Sequence, residues 1–181
     1  MYTTEELRNL NPERLDLLAE ELESGRHVKG ECFLAQKGED GVWKECCMGV
    51  GAEVARVNGL ELYFDEDENL TPGVTVRAYI VRNSTDYYRE TGIFPPAARE
   101  WFGFSEADPS LPLPEGVRRA MHPDDEQGDP RWQCMGGWND TGPGADFDPE
   151  EDFTTIAAGV RKLAQLAREA QDDAPEYQHP E

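Results

Sequence analysis

The sequence predicts an α+β fold: a single domain with a small, mainly antiparallel sheet packed against about four short helices. Three observations carry that prediction. Apolar residues recur at helical spacing in two stretches, Leu15, Leu18 and Leu22 near the start and Ile156, Val160, Leu163 and Leu166 near the end. Short runs at 31–36, 42–44, 60–64 and 74–81 read as strands, the last of them rich in β-branched residues. A chain of 181 residues can bury one core and hardly two.

The elements follow in order. Thr3-Thr4-Glu5-Glu6-Leu7 starts a short turn. Asn11-Pro12-Glu13 reads as a helix start, with Asn as the cap and Pro at the first helical position, and Gly25 ends a helix over 12–24. Glu31–Gln36 and Val42-Trp43 flank the turn Lys37-Gly38-Glu39-Asp40-Gly41, which suggests a hairpin or a bent strand pair. The run from Cys46 to Arg56 lacks strand alternation, while Cys47, Val50 and Val54 share a helical face. A short buried helix is expected there, lying across the sheet as its central packing element. Gly49 and Gly51 lower its helix propensity and point to a closely packed neighbour.

Asp65-Glu66-Asp67-Glu68-Asn69 reads as an acidic turn between two strands. Pro95 to Gly103 is a short helix with Pro at its start and Gly at its end. From 105 to 130 the chain is rich in Pro, Asp and Glu and is expected to be irregular, a kind of segment that is either functional or mobile. Trp132 to Asp140 is compact and aromatic, Thr141-Gly142-Pro143-Gly144 is a turn, and Asp152 caps a last helix expected to cover the sheet. Residues 1–171 are read as the acidic domain and 172–181 as a disordered tail.

Charge narrows the partners. Lys plus Arg number 17 against 38 Asp plus Glu, a formal net charge of −21. Such a field repels nucleic acid and anionic membranes, because phosphate neutralisation needs Lys and Arg. It favours basic protein partners and steered encounter with them, although surface charge also serves solubility alone. No basic-then-apolar leader pattern follows Met1, and no apolar run approaches the roughly 18 residues of a membrane span. The expected location is cytoplasmic. The four Cys are then thiols or ligands rather than disulfides.

The thiols raise the first chemical option. A Cys at a helix N-terminus sees unsatisfied amides that lower its pKa. Cys46 or Cys47 would then act as a nucleophile with His122 as base and Asn139 or Asp140 orienting it, in a thiol-dependent hydrolase or transferase. The competing reading places both thiols in the core as small hydrophobes. His27 and His179 complete the three His, and His179 lies in the tail.

Zinc would draw on Cys32, Cys46 or Cys47, Cys134 and a His, but no Cys-x2–4-Cys knuckle is present. The acidic run 65–69 fails as an EF-hand, since Leu70 replaces the turn glycine and Val76 stands where a bidentate Glu is needed. Asp146–Glu150 fails similarly. Gly49-Val50-Gly51 lacks the Gly-Lys-Ser/Thr of a Walker loop. No metal or cofactor is implied.

The order of the pieces is more specific than any one of them. Ser24-Gly25 follows a helix, Cys46-Cys47-Met48-Gly49-Val50 opens another, and Pro96 starts a short helix ending in Trp101-Phe102-Gly103. Asn139-Asp140-Thr141-Gly142 and Phe153-Thr154-Thr155-Ile156-Ala157 come next. Together these resemble a family of small proteins widespread in tailed-phage and prophage genomes, one with no assigned activity. The family commonly has Cys-Cys-Leu-Gly-Val-Leu-Cys, whereas Gly51 and Ala52 take the last two places here, so a third cysteine is lost.

The resemblance implies a phage origin and a host bacterial cytoplasm, and it implies no substrate. The leading expectation is a non-enzymatic phage accessory protein that binds a host protein, such as a defence or regulatory factor, through acidic loops. The residues in question are Asp65, Glu66, Asp67, Glu68, Asp124, Asp125 and Glu126. A variant of this reading is DNA mimicry, which needs carboxylates in rows.

Overall fold

Two capped helices open the chain. In α1 (Thr4–Asn9) the Thr3 hydroxyl accepts from the Glu6 amide at 3.2 Å, and the Glu6 carboxylate accepts from the Thr3 amide at 2.8 Å. This reciprocal pair satisfies two donors that a helix start otherwise leaves open. In α2 (Pro12–Glu23) Asn11 Oδ1 accepts from the Arg14 amide at 3.0 Å, and Leu15, Leu18, Ala19 and Leu22 form the buried face. The computed structural model describes residues 2–71, 73–82, 87–115, 131–141 and 153–173.

The main sheet comprises β1 (Val28–Lys29), β2 (Ala35–Lys37), β3 (Trp43–Glu45), β4 (Tyr63–Thr71), β5 (Val74–Arg82) and β6 (Tyr87–Glu90). The strand order is β1-β3-β2-β5-β4, with β6 also paired to β5. Every pairing is antiparallel except β1 with β3. The expected strand at 31–36 shrinks to Ala35–Lys37, because Cys32 takes a left-handed backbone (φ 64°) and bends the chain before it pairs.

The largest departure from expectation is β4. Residues 65–69 do not form an acidic turn. They continue a strand that begins at Tyr63, with Asp65 opposite Ala78, Glu66 opposite Arg77 and Asp67 opposite Val76. Five consecutive polar residues carry no apolar alternation, so the strand is invisible to a periodicity reading. It forms because β5 supplies the apolar partner surface and β4 takes the sheet's end.

Beyond the sheet come α3 (Cys47–Val57), α4 (Pro96–Phe102), a small ladder of β7 (Ser110–Pro112) and β8 (Trp132–Cys134), α5 (Met135–Thr141) and α6 (Thr154–Asp172). The described residues thus hold six helices rather than about four. The segment expected to be irregular from 105 contains β7, and 116–130 lies outside the described residues. Gly103 ends α4 at φ 85°, and a side chain there would meet the Asn9 carbonyl oxygen at 2.1 Å, so only glycine fits. Phe153 stands at the start of α6 with no side-chain cap. Asp152, the expected cap, and the turn residues 142–144 lie outside the described residues, as does 174–181 of the expected tail.

α6 packs principally on α2, α1 and β7 rather than covering the main sheet. Arg161 pairs with Glu23 and Arg168 with Asp16 along that helix–helix seam. α3 lies inside the molecule against α2, α4, α5 and β3. One buried cluster joins Leu18, Val50, Val54, Phe94, Phe102, Trp138 and Val160. The rings of Phe94, Phe102 and Phe104 meet with centroids 5.6–5.7 Å apart.

Candidate functional site

The cysteine motif starts α3, and each of its residues has a packing task. Cys46 is the N-cap: its Sγ accepts from the Gly49 amide at 3.4 Å. The Cys47 amide donates to Asn139 Oδ1 of α5 at 3.1 Å, and the Cys47 thiol lies 3.5 Å from the Met135 carbonyl. A Cβ on Gly49 would stand 1.7 Å from the Leu34 carbonyl oxygen, and one on Gly51 would stand 2.7 Å from the Phe94 ring. The two glycines therefore let the Leu34 backbone, just before β2, and the Phe94 ring meet one helix at backbone distance.

Asn139 closes this arrangement. Its side chain is fully buried. Besides accepting from Cys47, its Nδ2 donates to the Gly30 carbonyl and to Asp140 Oδ1, each at 2.8 Å. Asp140 Oδ1 also accepts from the Cys32 amide at 3.4 Å. One amide thus ties α5, the start of α3 and the end of β1 together.

That geometry puts both motif thiols in the core, where the competing reading of the sequence places them. Cys46 and Cys47 are 3% and 0% exposed. Burial pushes the Cys46 thiol up to about 12 and the Cys47 thiol well above its ordinary value. Desolvation of a thiolate outweighs the helix-terminus amides that would stabilise it. Asn139, expected to orient a histidine, has its hydrogen bonds committed to backbone groups and Asp140. His122 lies outside the described residues. Cys134 is half-buried, with its thiol raised chiefly by burial, and Cys32 is exposed. Among the described residues no group of three His, Cys, Asp or Glu side chains is placed to hold a metal ion.

The acidic residues have a different setting. Asp65, Glu66 and Asp67 stand on β4, and Glu68 continues the same strand. Asp124, Asp125 and Glu126 lie outside the described residues. Among the described residues β4 ends the strand order, so its outer backbone edge points away from β5. Tyr63 and Phe64 at its start are 47% and 39% exposed.

Arg77 of β5 underlies this strand: its guanidinium lies 4.3 Å from the Phe64 ring centroid and 4.4 Å from that of Trp43. Lys37 Nζ also lies over the Trp43 ring, 5.0 Å from its centroid. Cation–π contacts of this kind hold the aromatics in place beside the acids.

A second polar group went unread in the sequence. His27 sits between Glu21 of α2 and Glu45 of β3, and Arg77 Nη1 lies 3.7 Å from Glu45 Oε1. Glu45 is buried, at 8% exposed. Glu21, six residues before His27, is a local signal that spacing offers. Glu45 is brought in only by the pairing of β1 with β3.

Fold and site together define a single-domain α+β protein whose cysteine motif is internal and whose acids line a sheet edge. No protein family, curated protein or solved structure matches the chain. No helix among the described residues is long and apolar enough to cross a membrane.

Proposed function

We propose that this is a phage accessory protein of the host bacterial cytoplasm that acts without catalysis, by binding a basic host protein along β4. The observation that supports this reading most is the position of Asp65, Glu66 and Asp67 on the terminal strand of the sheet. A terminal strand offers backbone donors and acceptors to an incoming chain, and acids on it select a basic one. Exposed Tyr63 and Phe64 add the aromatic character common in interface centres. The formal net charge of −21 steers the same class of partner from a distance. The kind of target proposed is a host defence or regulatory factor.

The test is capture from bacterial host lysate at low and at physiological salt. The wild type recovers the same basic protein in both, and the variant Asp65→Asn/Glu66→Gln/Asp67→Asn loses it. Failure to recover any partner reproducibly, or equal recovery by the variant, counts against the reading.

The same strand favours a second reading, DNA mimicry. Acids in a turn match a phosphate backbone poorly, whereas acids on a strand stand in rows about 6.6 Å apart on each face. Competition separates the two: a mimic displaces DNA from a basic DNA-binding protein, and a simple binder leaves that DNA in place.

A further inference from the structure

His27 follows the turn that ends α2, and both nitrogens of its ring face carboxylates. Nε2 lies 2.7 Å from Glu21 Oε1, and Nδ1 is hydrogen-bonded to Glu45 Oε2. A ring that donates to both carboxylates carries a proton on each nitrogen and is an imidazolium. The side chains of His27 and Glu45 are 14% and 11% exposed. The hydrogen bond to Glu45, and after it the one to Glu21, raise the His27 pKa above its ordinary value against the opposing effect of burial.

Every element packed here brings charge. Glu21 comes from α2, and Arg26 from the turn after it; Arg26 Nε donates to Glu21 Oε1 at 3.0 Å. Glu45 comes from β3, Arg77 from β5, and Glu53 from α3, where it pairs with Arg56. The two carboxylates that touch the ring are unequal. Glu21 is the more exposed and holds Arg26 as a partner of its own. Glu45 is enclosed, and Arg77 Nη1 stands 3.7 Å from its Oε1.

We propose that His27 is a proton-operated latch tying the C-terminal turn of α2 to β3, in which loss of the proton opens the Glu21 side and leaves the Glu45 side closed. A neutral imidazole has one N–H and one lone pair. Keeping the N–H on Nδ1 preserves the bond to the enclosed carboxylate, where an unpaired charge costs most. The lone pair on Nε2 then faces Glu21 Oε1, oxygen and nitrogen repel, and Glu21 turns toward Arg26 and water. The proton leaves to solvent. The latch therefore holds α2 to the sheet while the ring keeps its proton and loosens Ser24 to Val28 as pH rises through the raised His27 value.

NMR of the full-length protein with 15N-labelled histidine tests this over pH about 5 to about 9, a range that spans histidine titration. His27→Gln identifies the His27 signals by their loss. If that variant does not fold, Glu21→Gln identifies them, because the Nε2 signal of His27 is the one that moves. The expected ring titrates above about 6.5, the free value, and its neutral form carries the proton on Nδ1. Glu45→Gln lowers that pKa more than Glu21→Gln does. A ring that titrates at or below the free value, or a neutral form protonated on Nε2, overturns the proposal.

Discussion

The amide of Cys47 donates to the side-chain oxygen of Asn139 across 92 positions of sequence, at 3.1 Å and in a fully buried setting. This bond makes the cysteine motif part of the fold's frame. It joins the first turn of α3 to α5, and the same asparagine reaches the Gly30 carbonyl at the end of β1. Removing the asparagine leaves a buried donor and a buried acceptor without partners.

Asn139→Ala is therefore expected to lower unfolding stability by about 2–5 kcal/mol, the sum of two stranded polar groups and a small cavity. Asn139→Asp is expected to be no better. It still accepts from Cys47, but it cannot donate to Gly30 and it places a second carboxylate against Asp140. Urea unfolding of the two variants checks both values. A loss below about 1 kcal/mol for the alanine variant contradicts the assigned role.

The two motif glycines separate by what they touch. Gly49→Ala puts a carbon against the Leu34 backbone carbonyl, which cannot withdraw without breaking the Cys46 amide's bond to it at 3.2 Å. That variant is expected not to fold. Gly51→Ala meets a phenylalanine ring, a side chain that can yield, and is expected to cost about 1–3 kcal/mol. Pairing Gly51→Ala with Phe94→Leu is expected to recover part of that loss in thermal unfolding, whereas no companion change at Phe94 helps Gly49→Ala.

Much of this frame was legible where chemistry is local. Asn11 with Pro12 marks α2, Pro96 with Gly103 marks α4, and the period of Val50 and Val54 marks α3. The two motif glycines announced a close neighbour without naming it. What stayed hidden depends on contacts far apart in sequence. β4 looked like a turn because its partner β5 carries the apolar side of the pair. Asn139 reads as a partner for a histidine because two of the groups it bonds, Gly30 and Cys47, are distant in sequence. Cys46 and Cys47 looked reactive because a helix N-terminus activates a thiol only when water can reach it. His27 drew no attention because one of its two carboxylates is 18 positions away.

The His27 pair also sets a pH dependence of stability. A histidine whose folded pKa is raised contributes stability that is fully present below its unfolded value of about 6.5 and is lost as pH rises through the folded value. The urea midpoint of the wild type is expected to fall over that window, and His27→Gln is expected to flatten the fall. His122 and His179 are common to both proteins, so the difference between the two curves reports His27. A variant curve parallel to the wild type contradicts the assignment.

The central claim is that the Cys46-Cys47-Met48-Gly49-Val50 stretch is a packing device. Reaction of the folded protein with a disulfide reagent near pH 8, followed by unfolding, tests it most directly, because reaction needs an accessible thiolate. The expected result is fast labelling of Cys32, slower labelling of Cys134, and labelling of Cys46 and Cys47 only after unfolding. Fast labelling of Cys46 or Cys47 in the folded protein would contradict the account and return the motif to chemistry.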